Sequence, residues 1–118
     1  MNTRKLHYKL APLALSLLLC GTLIASAEDW NAVVTNANQF ARINAYDKAI
    51  PLYESAVKAM PNEATLKENL EVLYVNYGVQ LQGNEQYDDA DIWFEKALAL
   101  NPNSAHAKRC CFASFAWP

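Results

Sequence analysis

The sequence predicts an all-α fold of antiparallel helix-turn-helix repeats, and three observations carry that prediction. The stretch "YDKAIPLYESAVKAMP" at 46–61 returns 41 residues later as "YDDADIWFEKALALNP" at 87–102. Tyr46, Asp47, Ala49, Glu54, Ala56 and Pro61 are matched by Tyr87, Asp88, Ala90, Glu95, Ala97 and Pro102, and Tyr53 by Phe94. Apolar side chains recur at steps of three and four, the period of a helix with one buried face. Each copy also follows a second segment of the same period across a short polar turn, and connections this short set neighbouring helices antiparallel.

The chain opens with Arg4, Lys5 and Lys9, the uncharged run "LAPLALSLLLCGTLIASA", and the acidic pair Glu28-Asp29. That order is a secretory signal peptide, and Ala25-Ser26-Ala27 offers the small side chains a signal peptidase accepts, so residues 1–27 are expected to be removed after Ala27. The run is near the lower limit for a membrane span, so membrane contact is expected only through an uncleaved signal. Leu19 stands before Cys20 where a lipoprotein signal carries Gly, Ala or Ser. A periplasmic or secreted location follows.

Losing Arg4, Lys5 and Lys9 leaves 7 basic side chains against 12 acidic ones, a net formal charge of −5. Phosphate-binding surfaces need clustered Lys and Arg, so nucleic acid is not an expected partner. Only Cys110 and Cys111 remain as cysteines, adjacent and late in the chain, which makes no disulfide framework. A domain of this size must be held by packing.

Taken in order, "WNAVVTNANQFARIN" places Trp30, Val33, Val34, Ala37, Phe40 and Ala41 on one side of a first helix. The turn "NAY" leads to a second, whose apolar face is Tyr46, Ala49, Ile50, Tyr53, Ala56, Val57 and Met60. Pro61 ends it, because the residue before proline avoids the helical region. Pro51 lies just past the first turn, where a distortion is expected and a break is not. "ATLKENLEVLYVNYGVQLQ" then puts Leu66, Leu70, Leu73, Tyr74, Tyr77, Gly78 and Leu81 on one face of a third helix. The turn "GNEQY" leads to the fourth, which Pro102 ends as Pro61 ends the second. The carboxylates Asp88, Asp89 and Asp91 open that helix, where they complement its dipole.

These spacings resemble the tetratricopeptide repeat, a 34-residue helix-turn-helix unit. In a first unit, 30–63, Phe40 fills the tyrosine place, Ala49 and Ala56 the small places of the second helix, Tyr53 the aromatic one and Pro61 the terminal proline. In a second, 71–104, the roles fall to Tyr74, Tyr77-Gly78, Leu81, Ala90, Phe94, Ala97 and Pro102. Val33 and Asn36-Ala37 stand where a bulky residue and Leu-Gly are usual, so the first helix departs from the pattern. The extra "ATLKENL" accounts for a period of 41, and seven residues are two turns, so it should lengthen the third helix without rotating its apolar face. The resemblance implies a short right-handed α-solenoid of two units and a partial third helix over 28–109, followed by an apolar tail at 110–118.

That tail begins in register, since Ala105 and Lys108 follow Ala64 and Lys67 by 41. It then carries Cys110, Cys111, Phe112, Phe115 and Trp117 with little polar face. Such an end is expected to bind a partner or a second copy through Phe112, Phe115 and Trp117, or to belong to a longer array. Catalysis finds no support: with the leader removed, His106 is the one histidine, Gly78 and Gly83 are the only glycines, and neither a zinc-hydrolase pair nor a phosphate loop can be assembled. His106 and Cys110 are one turn apart, but Cys111 turns away and four structural zinc ligands are not available. No catalytic residue, metal or cofactor is expected.

The resemblance implies binding of a protein or peptide partner in a groove lined by the first helices of successive units. At matching positions the groove presents Asn31, Val34, Asn38 and Arg42 from the first unit and Val72, Val75, Asn76, Val79 and Gln82 from the second. An asparagine offers a donor and an acceptor to an extended backbone. Asn38 and Asn76 match two asparagines of a carboxylate clamp found in some relatives, but the clamp's basic residues are absent. The leading expectation is an exported interaction module serving envelope assembly or secretion in a Gram-negative bacterium. The alternative is a small metal-handling or enzymatic periplasmic protein that uses the cysteine-rich end.

Overall fold

In the computed structural model the described residues run from 29 to 115, with side chains described to 111. They form five α-helices in succession: α1 Trp30–Arg42, α2 Tyr46–Ala59, α3 Ala64–Gly83, α4 Tyr87–Leu100 and α5 Ala105–Phe115. Each helix packs on the next, α3 on α4 most extensively, and α5 also touches α3. The architecture is an all-α repeat solenoid, and its paired helices fit the tetratricopeptide arrangement. The expected leader at 1–27, the side chains of Phe112 and Phe115, and Trp117 lie outside the described residues. Among the described residues no helix is long and apolar enough to cross a membrane.

Helix ends repeat as faithfully as the sequence does. At the end of α1 the Asn44 amide donates to the Ala41 carbonyl at 3.1 Å and the Ala45 amide to the Phe40 carbonyl at 3.0 Å. At the end of α3 Glu85 donates to Gln82 at 3.0 Å and Gln86 to Leu81 at 2.9 Å. Both pairs are Schellman closures, which require a left-handed residue after the cap. Asn44 supplies it with φ 58° and Glu85 with φ 64°. The ends of α2 and α4 match in the same way: Met60 donates to Ala56 and Asn101 to Ala97, each at 2.9 Å. Both residues leave the helical region just before Pro61 and Pro102, where the proline ring crowds the preceding residue.

Helix α2 continues through Pro51 without a break. The missing amide would have reached the Asp47 carbonyl, and since Asp47 and Pro51 are both exposed, that carbonyl is left to solvent at little cost.

The inserted turns do what their length requires. Helix α3 has 20 residues where α1 has 13, and Leu66 and Leu70 are buried on the same side as Leu73, Tyr74, Gly78 and Leu81. Small residues set the closest approaches: Ala37, Ala49, Ala56, Ala90 and Ala97 are fully buried. Tyr53 and Phe94 are the largest fully buried side chains, one per unit at equivalent positions. A unit with small residues at its crossings and one aromatic filling the space beside them stacks on the next to complete its core.

Candidate functional site

The face made by α1, α3 and α5 holds two cavities on either side of Val72 and Asn76. One, about 200 Å³, is lined by Asn38 and Ala41 of α1, Tyr46 and Tyr53 of α2, and Asn69, Val72 and Asn76 of α3. The other, about 260 Å³, lies between α3 and α5, lined by Glu71, Val72, Val75, Asn76 and His106. Helical spacing puts Asn69, Val72, Asn76 and Val79 on one line along α3. Val72 and Val79 are 53% and 45% exposed, an unusual allocation of apolar surface on a helix whose opposite side already supplies the core.

Of the residues expected here, Asn38, Val72 and Asn76 come together. Asn31 and Val34 line a separate hollow near the start of α1, with Met60, Glu63 and Leu66. Arg42 is exposed in the last turn of α1, and Val79 continues the α3 line beyond Asn76. Val75 is only 3% exposed and forms part of the wall of the cavity that His106 also lines. Gln82 is half-buried, and its Nε2 donates to the Cys110 carbonyl at 3.3 Å, so it ties α5 to α3.

Asn38 has a structural duty as well. Its Oδ1 accepts the hydroxyl of the buried Tyr53 at 2.6 Å, which fixes the amide and leaves its NH₂ directed by that bond. Asn69, Glu71 and the Tyr53 hydroxyl escape a reading confined to one repeat unit. Asn69 would have been found by carrying the three-four spacing one turn back from Val72. Glu71 is held in turn, its Oε2 accepting from Asn101 Nδ2 at 3.1 Å.

A polar cluster joins the units away from this face. The Tyr74 hydroxyl donates to Glu54 Oε1 at 2.7 Å. Lys96 Nζ lies 3.9 Å from the same oxygen and 4.1 Å from the Trp93 ring centre. Desolvation, then the bond to Glu54 and its negative charge, push the Tyr74 phenol well above its ordinary value. Burial also raises both thiols, against Arg109 at Cys110 and reinforced by Asp91 and Glu95 at Cys111. Raised thiols are poor nucleophiles and poor metal ligands, since both roles need the thiolate. His106 Nδ1 sits 3.5 Å from Arg109 Nη2, and among the described residues no group of three or more His, Cys, Asp or Glu is placed to hold a metal ion.

No protein-family model matches the chain. Photosystem I assembly protein Ycf3 of Prochlorococcus marinus is 37% identical to it over 54 residues. The aligned stretch is 46% of this chain and 31% of that protein, so the chain spans about a third of the relative it resembles.

Proposed function

We propose that this chain is an exported tetratricopeptide-like module that binds a segment of a partner protein along the α1–α3–α5 face and serves assembly or secretion in the cell envelope. The observation that carries the reading is the line Asn69, Val72, Asn76, Val79, which sets exposed valines between asparagine amides and is flanked by a cavity on each side. Valines at such positions reward contact with a partner's apolar side chains, and the amides offer donors and acceptors to its backbone. Assembly is the role named for the relative, and that name supports the class of function without identifying a partner. Export rests on the basic start, apolar run and Ala25-Ser26-Ala27. No catalytic role is assigned to any side chain.

The test is capture from an envelope fraction with the mature domain as bait. Val72→Asp with Val79→Asp should abolish capture while leaving helicity and melting nearly unchanged, as exposed substitutions do. Equal capture by this variant would remove the face from the account.

A further inference from the structure

The 41-residue period lets the two junctions between units be compared position by position. At the α2–α3 junction the equivalent positions hold Ile50, Leu66 and Leu70, all buried, with Ile50 and Leu70 each 2% exposed. At the α4–α5 junction they hold Asp91, Ala107 and Cys111. Every replacement is smaller or more polar. Cys111 is half-buried where Leu70 is sealed, and Asp91 Oδ1 is shut away from solvent with no hydrogen-bond partner among the described residues. Asp91 lies close enough to Cys111 for its charge to raise that thiol. A buried acceptor without a donor carries a desolvation penalty that the apolar junction does not.

Among the described side chains of α5 only Ala107 is fully buried, with Cys110 and Cys111 partly so. Ser104 Oγ accepts the Ala107 amide at 3.3 Å, and Gln82 reaches the Cys110 carbonyl. We propose that α5 is a releasable helix: it undocks from α4 as one unit while α1 to α4 stay folded, opening the cavity that Val75 and His106 line. Low-stability elements of this kind are where moving parts of proteins are found. The inference is independent of which partner the groove binds.

Hydrogen exchange of the purified full chain, read by mass spectrometry on peptides from each helix, tests it. The α5 amides should exchange together, at least about tenfold faster than those of α1, the helix at the opposite end of the array, since a penalty near 1.4 kcal/mol corresponds to tenfold. Installing the junction of the first unit, Asp91→Ile with Cys111→Leu, should slow α5 exchange by about tenfold or more and leave α1 unchanged. Cys111→Leu alone should act in the same direction and serves if the double variant does not fold. Protection of α5 equal to that of α1, fraying confined to its last turn with 107–110 protected, or no slowing in either variant would each overturn the proposal.

Discussion

The ring of Phe94 lies directly on the backbone of Gly78: a methyl group at Gly78 would stand 2.5 Å from Cε1 and 2.8 Å from Cζ of that ring. Phe94 is fully buried, so the ring has nowhere to yield. The contact joins α3 to α4 within the second unit and shows why a helix-disfavoured residue occupies the interior of a 20-residue helix.

Gly78→Ala should therefore destabilise the domain despite alanine's better propensity. Overpacking costs about 1 to 3 kcal/mol and the propensity gain returns about 1, a net of about 0 to 2; three ring contacts below 3.0 Å place Gly78→Ala at the upper end, a net loss of about 2 kcal/mol. Urea unfolding measures it. Adding Phe94→Leu should recover part of that loss, a non-additivity that a contact of this kind requires.

Glu85 adopts a left-handed conformation that costs a side-chain-bearing residue about 1 to 2 kcal/mol, and it does so at φ 64°. Glu85→Gly should raise stability by about 1 kcal/mol. The equivalent Asn44→Gly should gain less, because asparagine tolerates this region. A thermal melt that moves downward for Glu85→Gly would mean the side chain itself is engaged.

The bond from Tyr53 to Asn38 predicts an asymmetry. Asn38→Ala strands the hydroxyl of a buried ring and should cost about 1 to 2 kcal/mol, whereas Tyr53→Phe removes the group that needs a partner and should cost less. The double variant should be close to Tyr53→Phe alone. Equal losses from both single variants would show that the bond contributes only through its own formation.

Tyr74 sets an alkaline limit. Its phenol is raised in the folded state above the ordinary 10.0, so above pH 10 the unfolded chain loses this proton while the folded chain keeps it. The stabilisation is complete below pH 10 and is lost progressively above it. Tyr74→Phe should flatten the fall in melting temperature between about pH 10 and 12.

Much of this arrangement is legible in the residues themselves. Alanines seven residues apart in each second helix, an aromatic once per unit and a proline after each second helix mark where helices cross, what fills between them and where they stop. Other features belong to the third dimension. Nothing local marks Glu85 as left-handed, since Gly83 is nearby and the closure places the strained residue two positions later. Val75 reads as groove surface, yet it is sealed at 3% exposure. Asn38 reads as a groove amide, and its bond to Tyr53 stays hidden because that partner is fifteen residues away on another helix. The junction of Asp91 with Cys111 shows as a weak point only when laid over Ile50 and Leu70.

The most direct test of the binding face is site-specific photo-crosslinking in the envelope of living cells. A crosslinking residue at Val79, or at Asn76 beside it, should trap a discrete protein adduct. The same residue at Ile92, 52% exposed on α4 and away from the cavities, should trap none. Adducts of equal yield at all three positions, or at Ile92 alone, would contradict the assignment of the α1–α3–α5 face as the site where a partner binds.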